Sequence, residues 1–364
     1  MLLIRILLLP VSFLYGCIVA LRNKLFDWKI LSSKRFNVPV ISVGNLTVGG
    51  TGKSPHVQYL IALLRHHYKV ATVSRGYKRK TKGFIELTAS STVDEVGDEP
   101  KDFKMNFPDA MVCVAEKRVE AIEELLKKTD APEVILLDDA YQHRWVKPGL
   151  NVLLIDYNYL QEPDFMLPSG TLREWKAGQS RADIIILTKS PKILSPMEKR
   201  RFIEVVAPMP HQILYFSYIH YQPLKPITSA ARNLLESEIK LSDYKILLFT
   251  GIANSAPLLA HLSDRCREVQ EIKFPDHYNF NAEDLNQISV TFRNLLSNKK
   301  LIITTEKDAV RLMENPAFGG LSTLPLFYIP IEIKFHEEPN SFDEQVLTFI
   351  KHTSNSTIPP VENN

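Results

Sequence analysis

The chain has 364 residues, long enough for two domains of ordinary size, with 45% hydrophobic and 23% charged residues, a globular balance. Its net charge of +3 gives composition no case for a nucleic-acid partner. The three cysteines, Cys17, Cys113 and Cys266, are scattered and form no CxxC pair, which excludes a zinc ribbon or disulfide framework and fits a reducing compartment.

Residues 2 to 21 are apolar apart from Arg5, and the following stretch carries Arg22, Lys24, Lys29, Lys34 and Arg35 against Asp27. A secretory signal reads poorly, because the basic residues follow the apolar run rather than mainly preceding it. A spanning helix fits the length, since about 20 apolar residues match a bilayer core. An anchor lying in the interface, its basic flank at anionic lipid, accounts for Arg5, Pro10 and the flank together. A buried core helix is the ordinary alternative, and membrane contact is favoured over it.

From residue 38 the pattern becomes strand, turn, helix, repeated. Val38–Val43 reads as a buried strand and 54–68 as a helix. Strands follow at 69–74, 110–114, 134–138, 152–156 and 184–188, with a helix over about 116–128. Short apolar runs alternating with helices predict an α/β fold with a mostly parallel sheet covered on both faces. Pro208, Pro210, Pro223 and Pro226 surround the aromatic stretch Tyr215–Tyr221, which reads as a strand-like connector. A smaller α/β pattern follows, with strands at 245–250 and 301–304. The predicted divisions are a membrane-associating helix and basic flank (1–35), a P-loop domain (36–210), a linker (211–228), a smaller α/β domain (229–350) and a polar tail (351–364).

Between the first strand and helix lies Thr47-Val48-Gly49-Gly50-Thr51-Gly52-Lys53-Ser54. Glycines let backbone N–H groups converge on phosphate oxygens, and the helix that follows turns its positive end to the same place. Lys53 then binds the β- and γ-phosphates of ATP, and the Ser54 hydroxyl ligates Mg²⁺. Thr47 stands where the P-loop pattern has glycine, so the pattern is incomplete; the strand–loop–helix setting supports it, and a dinucleotide fingerprint fits worse because Pro55 replaces its next glycine. Such a loop needs an acid on a neighbouring strand, which Val134-Ile-Leu-Leu-Asp138-Asp139 supplies.

Gly44 to Pro55 closely resembles the loop of the tetraacyldisaccharide 4'-kinases, the lipid A 4'-kinases of Gram-negative bacteria, which also lacks the first glycine. Further runs are similar in order: Ser74-Arg75-Gly76-Tyr77, Val96-Gly97-Asp98-Glu99-Pro100, Asp138-Asp139-Ala140-Tyr141-Gln142-His143 and Leu167-Pro168-Ser169-Gly170-Thr171-Leu172-Arg173-Glu174. Phe274-Pro275-Asp276-His277-Tyr278 and Thr304-Thr305-Glu306-Lys307-Asp308 extend the resemblance into the second half, over residues 1 to about 335. Ala140 and Tyr141 replace the family's Gly and Phe, and Ser54 its commoner Thr, with plausible roles preserved.

The resemblance implies a P-loop kinase with a smaller second domain joined by a two-stranded linker. Its reaction transfers the γ-phosphate of ATP to the 4'-hydroxyl of a tetraacylated glucosamine disaccharide 1-phosphate, at the cytoplasmic face of the inner membrane. It suggests Asp98 as the base for the acceptor hydroxyl, with His277 pairing with it to orient or tune it; alone, Asp98 reads as one of a solvated acidic group with Asp94, Glu95 and Glu99. Asp138 and Asp139 manage Mg²⁺, with the inner ligand left open. Arg75, Arg118, His143 and Arg173 are candidates for the substrate's 1-phosphate or the transferring phosphoryl group, with ordinary surface charge favoured for Arg118. Tyr77 lies along sugar or acyl chain, or packs in the core. Thr305, Glu306 and Lys307 are candidates for shaping the nucleotide or hinge region and receive no chemistry. The alternative function is a membrane-associated P-loop switch or targeting factor; Thr188-Lys189-Ser190 is only a faint echo of a guanine motif.

Overall fold

In the computed structural model, which describes residues 2–161, 164–235, 239–338 and 340–355, the chain divides into two units, residues 1–219 with 333–364 and residues 220–332. The first opens with α1 (Leu2–Asp27), β1 (Val40–Asn45), α2 (Lys53–Leu64) and β2 (Val70–Ser74). A short β3 (Ile85–Glu86) and α3 (Val93–Val96) lead into α4 (Asp98–Asn106), β4 (Met111–Val114) and α5 (Arg118–Leu126). Then come β5 (Val134–Asp138), β6 (Leu150–Asp156), β7 (Ile184–Thr188), α6 (Pro196–Val206) and β8 (Ile213–Tyr221).

The second unit holds β9 (Lys225–Pro226), α7 (Ser229–Leu235), β10 (Lys245–Thr250), α8 (Ala256–Ser263) and β11 (Glu268–Lys273). It continues through α9 (Ala282–Asn294), β12 (Lys300–Thr305), α10 (Glu306–Met313) and β13 (Leu326–Ile329). The chain returns along β14 (Ile331–Phe335) and ends its described part in α11 (Ser341–Asn355).

The nine strands of the first sheet are ordered β14-β8-β7-β6-β1-β5-β2-β4-β3. The pairs that flank β1 are parallel, as are those linking β2, β4, β6, β7 and β8, and β3 on β4 is antiparallel. Every residue of β1, β2, β5 and β7 is buried. That is why these strands are continuous apolar runs rather than alternating ones. In β5, Val134 and Leu136 feed the core beneath α2 and α11, while Ile135 and Leu137 feed the opposite core against α5. Each such side chain contributes about 1.5–3 kcal/mol of burial. The second sheet, β11-β10-β12-β13-β9, is parallel apart from the β13–β9 pair.

The division differs from the sequence expectation in two respects. Residues 333–350, assigned there to the smaller domain, belong to the first unit. The aromatic stretch read as a connector is most of β8, a strand paired in parallel with β7. It leaves an open edge with an unsatisfied hydrogen-bond ladder, which β14 covers. Phe342, Val346 and Ile350 of α11 then complete the core under α2. Of the expected polar tail, residues 351–355 extend α11 and 356–364 lie outside the described residues.

α1 carries its apolar residues outward. Ile6, Leu7, Val11, Phe13, Leu14, Ile18 and Leu21 are all more than half exposed. Its inner stripe is narrow: the Ser12 hydroxyl donates to Ser169 Oγ at 2.8 Å and the Asn23 amide to Glu174 Oε2 at 2.9 Å. At Gly16 a Cβ would come within 2.6 Å of the Trp175 ring, so the small residue permits the close approach.

Candidate active site

The described site sits outside the carboxyl ends of the parallel strands, where open α/β sheets bind ligands. Asn45 ends β1, and the loop to α2 turns through Gly49 (φ 110°) and Gly52 (φ 86°), a region that side chains other than glycine rarely adopt. Thr47 needs no such freedom. It is not among the positive-φ residues and forms an antiparallel bridge with Leu172. The Val48 N–H donates to Thr171 O at 2.7 Å, and the Arg173 N–H donates to Leu46 O at 2.7 Å. The first part of the loop is therefore stitched to the Thr171–Arg173 segment, which is the physical reason a glycine can be absent there.

That segment also delivers Arg173. Its guanidinium binds both carboxylate oxygens of Asp139, at 2.8 and 3.1 Å. Lys53 Nζ lies 3.7 Å from the same carboxylate and donates to Asn45 Oδ1 at 3.4 Å. Asp139 takes a left-handed backbone (φ 48°) just past β5, while Asp138 ends the strand almost fully buried. Glu174 is buried and bound by Arg181, Gln142 and Asn23, so one carboxylate ties α1 to the turn after β5.

Asp98 begins α4. The preceding Gly97 (φ 90°) brings the backbone so close to Tyr77 that a Cβ would meet the Tyr77 carbonyl at 2.8 Å. The Arg75–Tyr77 and Gly97–Glu99 runs are thus neighbours. Glu99, read from sequence as one member of a solvated acidic group, accepts a 2.6 Å hydrogen bond from the Ser54 hydroxyl. Tyr77 is 64% exposed, which rules out core packing for it.

A second cationic group surrounds His143. Burial, followed by the charges of Arg118, Arg22 and Arg75, pushes the imidazole down to about 4, so it is neutral near pH 7. Arg118 is not surface charge: it is 4% exposed at the start of α5, and its Nε has no hydrogen-bond partner among the described residues. Burial lowers its pKa, with the Asp138 and Asp139 carboxylates opposing.

Two further tethers act on the loop from β7. Thr188 Oγ1 donates to Thr51 O at 2.9 Å, and Lys189 Nζ reaches Gly50 O and, at 2.7 Å, the buried Asp156 carboxylate. His56, in the first turns of α2, lies 2.7 Å from Gly52 O through Nδ1. A carbonyl only accepts, so Nδ1 carries the proton and Nε2 accepts from Ser217 Oγ at 3.0 Å.

Ser54, Glu99, Asp138 and Asp139 are all hard oxygen donors, suited to Mg²⁺ rather than to a softer metal. Among the described residues there is no cluster of three or more His, Cys, Asp or Glu that would cage a metal. Mg²⁺ fits such a partial donor set because it keeps water and substrate phosphate oxygens in its shell.

The family model for tetraacyldisaccharide-1-P 4'-kinase matches residues 4–351. The chain belongs to the tetraacyldisaccharide 4'-kinase family. A member from Phocaeicola vulgatus is 44% identical over 353 residues, spanning 96% of each chain. Another from Flavobacterium johnsoniae is 44% identical over 350 residues, spanning 96% of this chain and 98% of the relative. A solved structure of the Aquifex aeolicus member LpxK, in complex with ATP, is 28% identical with a TM-score of 0.70 and covers 95% of this chain and 99% of its own. Family membership favours the kinase reading of the loop over a switch. The chain is accordingly a kinase of lipid A biosynthesis.

His277 lies in the second unit, at the corner after β11. Its backbone is left-handed (φ 57°) and its N–H donates to Gly251 O at 3.0 Å.

Proposed function

We propose that this kinase transfers the γ-phosphoryl group of ATP to the 4'-hydroxyl of a tetraacylated glucosamine disaccharide 1-phosphate, with Mg²⁺ as its metal. The observation that carries the reading is the convergence of Lys53, Asp139 and Arg173 beside the loop, within the family match. Lys53 and the amino end of α2 hold the phosphates. Ser54 and Asp138 are the proposed metal ligands, with Glu99 and Asp139 flanking them; the metal would neutralise charge on the phosphates.

A sugar hydroxyl is a poor nucleophile near neutral pH, so its proton must leave as the oxygen attacks phosphorus. Asp98 is the proposed acceptor of that proton, and His277 the group that orients or tunes it. As the new P–O bond forms, the bond to ADP breaks. Arg173, already placed by Asp139, stabilises the transferring group, and Arg75, Arg118 and His143 are the proposed seat of the 1-phosphate. Tyr77 is exposed and available to lie along the sugar or an acyl chain.

We assign the enzyme to the cytoplasmic face of the inner membrane, where ATP is available. Contacts of α1 with the first unit run from Arg5 O, bonded by Ser169, to the Phe26 ring against Trp145. That is roughly 30 Å of helix at 1.5 Å per residue. A helix committed to the protein over that length lies on a membrane rather than through it. Trp28, Trp145 and Trp175 are 62%, 44% and 40% exposed and all lie on or next to α1, as interfacial tryptophans do.

The test is an acceptor assay with purified protein, ATP, Mg²⁺ and detergent-dispersed disaccharide 1-phosphate. A product heavier by one phosphoryl group is expected; nucleotide hydrolysis without that product would overturn the reading. Removing residues 2–21 should lower vesicle binding far more than ATP binding, and equal partitioning would sink the anchor.

A further inference from the structure

The second unit builds a buried network around the run Thr304–Asp308. Thr305 caps α10: its side chain accepts from the Asp308 N–H at 3.2 Å, and its hydroxyl donates to Asp308 Oδ2 at 2.7 Å. The same oxygen accepts from the Gly251 N–H at 3.0 Å. Asp308 is fully buried, and its other oxygen accepts from Arg311 Nη1 at 3.1 Å, one turn along the helix. Arg311, 7% exposed, turns Nη2 to within 3.0 Å of His277 Nδ1.

A guanidinium stays charged in a protein and has only N–H donors. Nδ1 of His277 must therefore offer its lone pair to Arg311, which leaves the ring proton of the neutral imidazole on Nε2. The rest of the corner holds the ring in that pose. The left-handed backbone at His277 is strained for a side chain and is paired to Gly251 O, and a Cβ on Gly251 would meet Asp308 Oδ1 at a tight 3.0 Å. The Asp276 carboxylate lies 3.9 Å from Nε2, on the side where the proton is placed.

We propose that Arg311, itself fixed by Asp308 and Thr305, is a positioning residue that locks His277 in the Nε2–H tautomer and so presents an N–H donor to an anionic oxygen of the reaction. The proposal rests on the reading of His277 as a group that serves the transfer. With the opposite tautomer the ring would turn a lone pair toward such an oxygen and could not orient it.

The test uses the full chain with ¹⁵N-labelled histidine, the His277 signals being identified by their loss in His277→Gln. Nδ1 should show the shift of an unprotonated nitrogen and Nε2 that of a protonated one. A proton on Nδ1, in either a neutral or a doubly protonated ring, overturns the proposal; this measurement needs no variant that might fail to fold. Arg311→Met should lower kcat about 10- to 100-fold with KM for ATP within about twofold, the pattern of a lost transition-state interaction. Arg311→Lys should restore part of it. A kcat unchanged in folded Arg311→Met, where His277→Ala lowers it, would also overturn the proposal. If His277→Ala leaves kcat unchanged while the spectrum shows Nε2–H, the tautomer lock stands and the reading of His277 alone falls.

Discussion

Two corners of the molecule solve the same problem in opposite ways. The loop after β1 and the corner around Gly251 each lie at the carboxyl end of a parallel strand, and each needs a left-handed residue, Gly52 (φ 86°) in one and His277 (φ 57°) in the other. Each also holds a histidine through Nδ1. His56 meets a backbone carbonyl and must donate; His277 meets a guanidinium and must accept. The first corner gets its strained turn from a glycine, which costs little, and uses its histidine as a strut. The second imposes the strain on the histidine itself, and strain of that kind is retained where the surroundings over-determine it. The difference separates the proposed phosphate cradle, in which backbone matters, from a corner in which, on the proposal above, one side-chain ring is aimed.

The comparison can be broken most forcefully at the chemistry next to the first corner. Asp98→Asn should lower kcat by about 10²–10⁴, the range for general acid–base catalysis, with ATP affinity little changed by calorimetry. A kcat equal to that of the parent would remove Asp98 as the base. Lys53→Ala should cost about 10²–10³ in kcat, the scale of a single charge-stabilising donor, and full activity in that variant would count against the whole cradle.

A smaller effect probes the tethers from β7. Thr188→Val leaves the Thr51 carbonyl without its 2.9 Å donor. KM for ATP should rise about tenfold with kcat within about twofold, as expected when a buried acceptor loses its partner. An unchanged KM would show that the loop holds its shape without that hydroxyl.

The smallest effect reads the histidine strut. Burial pushes His56 down to about 4, against a backbone hydrogen bond that raises it. The unfolded chain, with the ordinary value near 6.5, takes up the proton first as pH falls. Stability from the neutral ring is thus complete above about 6.5 and is lost progressively toward 4. His143 shifts in the same direction. The melting temperature should fall by a few degrees between pH 7 and pH 5, and His56→Gln should flatten that fall; a slope equal to the parent's would remove His56 as a source.

What could be read from sequence follows the same division. The loop spans one short stretch, so its glycines, Lys53 and Ser54 announce themselves, and β5 with Asp138 and Asp139 follows from an apolar run ending in acids. Glu99 was hidden because an acidic side chain near other acids looks solvated until a distant hydroxyl, here Ser54, is brought to it. Arg118 was misjudged for a related reason: its position at the start of α5 carries no periodic signal of burial. The second corner is joined from residues 251, 277 and 305–311, and nothing local to any of them tells which nitrogen faces which partner. The return of β14 and α11 was equally invisible, because the need they meet, the open edge of β8 and the uncovered core under α2, arises more than a hundred residues earlier.

The outward apolar face of α1 has a consequence for how such an enzyme is supplied. Held against a leaflet, it would meet its acylated acceptor by lateral encounter within a film, at a surface density rather than a bulk concentration. Adding inert lipid or detergent would then slow the reaction by surface dilution while the total amount of acceptor stays the same. Saturation would be a property of mole fraction, and the nucleotide would remain the one reactant counted per volume of water.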